Sequence, residues 1–553
     1  MIMKHILIYR SLCAVLLVVS ASCSKFLIEE PKNSTFVGEF WQSSNDVNSG
    51  LAGAYALLRD AVTSGNFNNA GRYYMYGDAV PGNYFTIQYV GDGLEGIQSG
   101  DFTFQYNIES YGDWTKYYKT ITMCNLLLER ADDMDESLLD DQADPREFLD
   151  DVMGQAYFIR ALAYFYLTRT WGDVPLVLNT SADPINEDFL GRSPKGEIMA
   201  QIEADCNAAA GLLQWGYTDN DKAKVTANKG SAYALLAHLY LWRATTTDVA
   251  SDLPIMEDVD KAQQAITALK ENGGYSLVDT ANYYQTFIGK SSEGIFELAA
   301  SEDHLEGSAS HIASNFLRQA HISYNSATYS RFFVRPEYLT THFSKEYRGW
   351  GWVWNTSLNQ WEWIDHAATV GETVYNDEYP DGIEVTAAML TDNADVRYRK
   401  NFTDLSLDQP TCIKYHEVEY RSANSAYLSN NLILFRYSDM LLLEAEIALY
   451  QGRIADAVTV INGFRTRNGS EALLSANITK DEAMYQYALE RGKELFLEGH
   501  LYYDLIRTRQ YPQFITWLSE SRFRQGGFYW PVAPALFTNN LNMTQTSYWI
   551  GKI

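Results

Sequence analysis

A chain of 553 residues with 46% apolar side chains can bury a large core, and no low-complexity tract divides it. Its 70 acidic residues against 43 basic ones set a formal net charge of −27, which argues against nucleic-acid binding and for a neutral or cationic partner. Five cysteines without Cys-x-x-Cys spacing leave no legible disulfide framework or zinc site.

The N-terminus carries Lys4 and Arg10, an apolar run from Leu12 to Val19, and Ser20-Ala21-Ser22 before Cys23. The run is too short to span a bilayer and is bounded by small residues, so residues 1–22 are expected to be a cleaved signal peptide. Small residues ahead of a cysteine predict a lipoprotein signal with Cys23 as the acylated terminus, although Ser20 stands where such signals carry leucine. Acyl chains on Cys23 would anchor the protein to a membrane without a spanning helix. Removal of residues 1–22 takes Lys4 and Arg10 away, leaving 41 basic residues against 70 and a net charge of about −29.

The remainder, 23–553, alternates helical pairs with two long excursions. The first excursion, about 65–112, is rich in Gly, Tyr and Asn. Helical pairs with small residues at recurring positions follow at about 153–214 and 228–272. Cys124, in an amphipathic pattern between them and the excursion, is expected to be a small buried hydrophobe. The second excursion, about 275–430, mixes short strand patterns with aromatic loops. A third pair spans 432–468: Leu441, Leu442, Ala445, Ala448 and Leu449 form one face, Gly452 breaks the helix, and Ala457, Val458, Ile461 and Phe464 form the next. The fourth, 480–510, opens with a Thr479-Lys480-Asp481-Glu482 capping box and turns at Gly499. Small residues at helix crossings and a repeat near 34 residues predict a mainly α, tetratricopeptide-like scaffold of about four helix pairs. Long insertions on such a framework are where binding usually sits.

Flat aromatics stack on the C–H faces of sugars while amides and carboxylates bond the hydroxyl rim. Three places offer that chemistry. The sharpest is Trp350-Gly351-Trp352-Val353-Trp354 with Trp361-Glu362-Trp363, where alternation places Trp350, Trp352 and Trp354 on one strand face, about 6.5 Å apart, and Trp361 and Trp363 can answer from a return strand. That ribbon reads equally as ligand platform, as core, or as a contact with a partner protein. The second is Tyr73, Tyr74, Tyr76 and Asn83, with Asn68 and Asn69 as amides and Asp78 as a ligand group or loop anchor; these aromatics could instead pin their loop. The third is His321, Tyr324 and Tyr329. Nine histidines with no close pair in sequence and no His-Glu-x-x-His argue against a transition-metal centre. Calcium stays open, but no Asp-x-Asp-x-Asp-Gly loop is present and no ligands are assignable.

Three segments resemble the SusD/RagB family of outer-membrane glycan-binding lipoproteins. The N-terminal part is Phe26-Leu27-Ile28-Glu29-Glu30-Pro31 with Phe40-Trp41 and Gly50-Leu51-Ala52-Gly53-Ala54-Tyr55. The most specific part is the run from Phe435 to Glu446, then Glu490-Arg491-Gly492-Lys493-Glu494-Leu495-Phe496-Leu497-Glu498-Gly499-His500, then Asp504-Leu505-Ile506-Arg507; Tyr529-Trp530-Pro531-Val532 and Tyr548 close the match. His500 stands where the family usually carries Arg, which puts the pairing of Glu498 in doubt. The resemblance implies a cell-surface, outer-membrane protein that holds an oligo- or polysaccharide and delivers it to a SusC-like, TonB-dependent transporter. It implies no enzyme activity; peptide-importing relatives are the alternative. A glycosidase reading of Glu494, Glu498 and Asp504 is disfavoured, because glycoside cleavage needs two carboxyls opposed across a cleft rather than a row on one helix. A structural part for them, with Arg507 bridging neighbouring hairpins, is expected instead.

Overall fold

The computed structural model describes residues 40–553 apart from 66–70, 89–92, 103–106, 181–188, 301–311, 319, 322–329, 344–346, 378, 387–391, 406–408, 423–424 and 539; at 107, 347–350, 365–367, 421 and 425–426 it describes the backbone alone. Its long helices are α1 Ser44–Thr63, α2 Thr115–Asp132, α3 Pro145–Trp171, α4 Lys195–Leu212, α5 Lys229–Thr246, α6 Met256–Asn272, α7 Tyr437–Tyr450, α8 Ile454–Arg467 and α9 Lys480–Glu494, followed by the short α10, Leu501–Arg507. Each packs on its predecessor in the chain, so the helices stack as a tetratricopeptide-like array. The pair α1 and α2, which brackets the first excursion, was not among those read from the sequence. No helix among the described residues is long and apolar enough to cross a membrane.

Local chemistry sets the helix ends. At α3, Asp144 accepts a hydrogen bond from the Glu147 N–H at 3.0 Å, Pro145 occupies the first turn, and Gly172 at φ +78° ends the helix. Asn228 and Ser231 cap α5 reciprocally. The cap of α9 is only half the expected box: Thr479 accepts from the Glu482 N–H at 3.2 Å, but the Glu482 carboxylate turns forward to Gln486 instead. Between α7 and α8 the predicted faces meet: Leu442, Ala445 and Leu449 pack on Ala457, Ile461 and Phe464, and Ala483 and Tyr487 of α9 join them.

The strands used below are β1 Phe85–Ile87, β2 Gly294–Leu298, β3 Phe332–Val334, β4 Tyr347–Asn355, β5 Gln360–Ala368, β6 Thr373–Val374, β7 Ile383–Glu384 and β8 Leu432–Arg436. Antiparallel pairing of fully buried β2 and β8 ties the two ends of the second excursion to the array, and β8 runs directly into α7. The first excursion packs into the array instead of standing off it as a binding insertion. Its β1 pairs with β3 of the second excursion, and Phe85 and Phe332 stack at 5.2 Å inside the main core. Before β1, residues 75–79 form a π-helical turn that lies against the loop ahead of α10; a Cβ on Gly77 would stand 2.2 Å from the Gly499 carbonyl oxygen. Only glycine permits that approach, and Gly499 itself sits at φ +82°. Beyond the core, β4 to β7 carry a small apolar cluster of their own, Ala368, Val374 and Val385.

Candidate functional site

Antiparallel pairing of β4 and β5 sets Trp363 opposite Trp352 and Trp361 opposite Trp354, so four indoles share one face of the hairpin. Their centroids lie 5.2 Å and 5.5 Å apart in the two pairs, with planes at 62° and 70°, an edge-to-face arrangement. Tyr375, just beyond β6, extends the row: its ring lies 5.6 Å from Trp361, and its carbonyl accepts from the Trp352 N–H at 2.9 Å. The hairpin turn is stiffened by Asn355, whose side-chain oxygen accepts from the N–H groups of Ser357 and Leu358, while Asn359 takes φ +54°. Val353, Asn355, Gln360, Glu362 and Ile364 fall on the opposite face.

Trp352, Trp354 and Trp361 are 47%, 43% and 50% exposed, which removes the core alternative for these three rings; Trp363 is half-buried. The backbone of Trp350 pairs with Asp365 in the same register, and its side chain lies outside the described residues. A row of exposed indoles is costly to leave in water unless it meets something, since surface patches of this kind mark binding faces.

The second candidate group is overturned by burial. Tyr73, Tyr74 and Tyr76 are at most 3% exposed. Tyr76 donates to the Tyr111 carbonyl at 2.7 Å, Tyr74 accepts from the Asn315 amide at 2.8 Å, and Tyr73 packs edge-on against Tyr74. These rings pin the first excursion into the core and present no face to a ligand. Asn83 is half-buried at the same loop. Asp78 is the loop anchor, accepting from the Gly499 N–H at 2.6 Å. In the third group, His321 is held by Asp404 at 2.9 Å and accepts from the Arg318 N–H; the His321–Asp404 hydrogen bond lowers the pKa of Asp404 below the usual carboxylate range. Tyr324 and Tyr329, with Asn68, Asn69 and Cys23, lie outside the described residues.

The acidic run near the C-terminus is buried and paired. Arg436, at the end of β8, reaches Glu293 at 2.8 Å, Glu494 at 2.8 Å and Glu498 at 2.7 Å, and Lys414 bonds Glu498 at 2.6 Å. Arg397 joins Asp395, Glu490 and Glu494. Glu498 is therefore fully paired without any help from residue 500. Arg507 grips Glu446 of α7 at 2.6 Å and Asp504 at 2.8 Å, bridging hairpins as expected. Burial alone would raise the pKa of Glu494, but Arg436 and Arg397 outweigh it and hold the carboxyl down at about 2. A general acid needs a raised pKa and access to substrate, whereas Glu490, Glu494, Glu498 and Asp504 are all buried and all held below the usual carboxylate range by neighbouring cations.

Two features were beyond sequence reading. A cavity of about 170 Å³ lies against the C-terminal end of α3, walled by Trp171, Asp173, Arg192, Lys195, Tyr529 and Tyr548 among others, too small for an oligosaccharide. Its Arg192 guanidinium is already spent on the carbonyls of Trp171, Asp173 and Thr544. The other is a cluster of His238, Asp439 and His500, all buried, whose ligand-capable atoms lie within 4.8 Å of one another. The histidines are far apart in sequence, so no spacing rule could join them.

Known proteins decide the family. One family model, described as starch-binding and associating with the outer membrane, matches residues 25–241, and the SusD family model matches residues 410–549. The chain belongs to the SusD/RagB family. SusD-like protein P38 of Formosa agariphila is 24% identical over 500 residues, 88% of each chain, and SusD-like protein P2 of the same organism is 24% identical over 412 residues, 72% of this chain and 71% of that one. A SusD homolog of Bacteroides thetaiotaomicron superposes with a TM-score of 0.72 at 21% identity, covering 92% of this chain and 99% of that structure; B. fragilis NanU gives 0.62 at 19% identity, covering 94% and 99%. SusD/RagB membership supports a glycan-binding role in nutrient uptake at the outer membrane, in a family of binding proteins.

Proposed function

We propose that this SusD-like protein is a cell-surface lipoprotein, anchored through Cys23, that captures an oligo- or polysaccharide on the tryptophan face of the β4–β5 hairpin and hands it to a SusC-like, TonB-dependent transporter. The observation that carries the reading is the pairing of Trp352 with Trp363 and of Trp354 with Trp361 on an exposed face. Indoles stack on the apolar faces of pyranose rings, and a hairpin stiffened at its turn offers them with little ordering left to do on binding. The acidic surface suits an uncharged glycan better than a polyanionic one.

A glycan array on the purified protein tests the reading. Binding of a polysaccharide, its loss when Trp352, Trp354, Trp361 and Trp363 are changed together to Ala, and no release of reducing ends are the expected results. Array binding that survives the fourfold change would move the site off the hairpin, binding of peptides instead of glycans would change the ligand class, and hydrolysis would overturn the non-catalytic role.

A further inference from the structure

We propose that His238, Asp439 and His500 form a binding site for one divalent transition-metal ion of the zinc class, with His238 Nε2, Asp439 Oδ2 and a ring nitrogen of His500 as protein ligands. The three come from separate elements: His238 from the middle of α5, Asp439 from the first turn of α7, and His500 from the residue that precedes α10. Two imidazoles and a carboxylate are the donor set that zinc and its neighbours take, with water filling the remaining positions.

The geometry is close to what such an ion needs. Tetrahedral ligand atoms about 2.1 Å from zinc stand about 3.4 Å apart. Here His238 Nε2 lies 2.7 Å from Asp439 Oδ2, and all three donors fall within 4.8 Å. The two imidazole planes are inclined by only 16°, with centroids 5.3 Å apart. A small opening of the His238–Asp439 contact and a small closing of the His500 ring, both within side-chain rotation, would bring the set into range. Metal entry replaces the His238 Nε2–H···Oδ2 Asp439 hydrogen bond: the Nε2 proton shifts to Nδ1 or leaves to solvent, and the ion takes the freed Nε2 lone pair.

The surroundings favour a cation. Arg491 donates to the other oxygen of Asp439, Oδ1, at 2.7 Å, which leaves Oδ2 aimed at the histidines, as an outer partner does around a metal ligand. Arg491 and Arg507 are the two guanidiniums of this cluster, and they face three carboxylates, Asp439, Asp504 and Glu446, so one negative charge is in excess in a buried place. The buried His500 ring makes no hydrogen bond among the described residues, so its nitrogens are not committed to another partner there. An ion here would cross-link α5, α7 and the Gly499 turn, three parts of the array that otherwise meet through packing and ion pairs.

The full chain, stripped with a chelator and then given zinc chloride, provides the test. Expected are about one zinc per chain after dialysis and a rise in Tm that the chelator reverses. His500→Gln and His238→Gln should each weaken uptake at least about tenfold and remove the zinc-dependent rise, while His416→Gln, a partly exposed residue beside Glu417, should change neither. Zinc uptake by the unaltered chain no greater than by the His500→Gln variant, or no zinc-dependent Tm shift in the unaltered chain, would overturn the site. The outcome does not depend on which ligand the tryptophan face binds.

Discussion

Two regions of this protein spend expensive side chains in opposite ways. Beneath α7 to α10, arginines and carboxylates are withdrawn from water into shared ion pairs: Arg436 alone serves Glu293, Glu494 and Glu498. On the β4–β5 hairpin, large apolar rings are about half exposed and, among the described residues, meet one another and Tyr375 as ring partners. Charges inside and indoles outside invert the usual distribution, and each inversion has its own cause. The buried ions fix how the hairpins of the array meet. The exposed indoles leave an apolar face that no described residue covers fully.

The sharpest way to break the contrast is to cut the ionic side. Arg436→Met leaves three buried carboxylates facing each other with too few cations, and should cost about 3–5 kcal/mol in urea unfolding. A loss below about 1 kcal/mol would mean that the carboxylates simply take up protons, and that the network holds little of the fold.

Acid should open the same region progressively. His342 is buried against Tyr338 and Phe514, and burial, aided by the charge of Lys493, lowers its pKa from 6.5 to about 3. The folded protein therefore keeps it neutral where the unfolded chain has taken a proton. Its contribution is complete above pH 6.5 and falls as pH drops toward 3, by about 1.4 kcal/mol for each pH unit. His342→Gln should flatten that part of the stability profile. An unchanged slope would assign the acid sensitivity elsewhere. The carboxylate share appears lower, since Glu494, held at about 2, loses its advantage only as pH falls from its ordinary value of 4.5 toward 2.

A smaller effect checks the correction made to the first excursion. Tyr76→Phe removes the buried hydrogen bond from Tyr76 to the Tyr111 carbonyl and should cost about 1 kcal/mol, with glycan binding unchanged. Weaker binding at unchanged stability would return this loop to the ligand site.

The array was legible because helix signals are local: the faces around Leu442 and Ile461, Gly452 at the turn and Thr479 at the cap all lie within a few residues of the structure they specify. The tryptophan pairing was legible for the same reason, since alternation and a short return fix register. What escaped was set by contacts far apart in sequence. Tyr73, Tyr74 and Tyr76 looked like a loop because Gly and Asn surround them, yet their burial depends on β3, some 250 residues on, and on the Gly77–Gly499 approach. Likewise α1 and α2 were passed over as a pair because the excursion between them separates two helices that pack in space.

Tryptophan itself offers the finest test of the contrast, because the same residue type occurs in both settings. Trp171 is fully buried between Tyr76 and Trp114, and Trp171→Ala should cost about 3–5 kcal/mol of stability. Trp352→Ala and Trp361→Ala remove rings that are about half exposed, and each should change stability by no more than about 0.5 kcal/mol. The same two changes should weaken saccharide binding about tenfold each, near 1.4 kcal/mol, as central aromatic contacts do. Calorimetry with a glycan from the array, run beside thermal unfolding, separates the two effects. Loss of stability without loss of binding would make the hairpin a packing element, and the physical argument for a ligand face would fall with it.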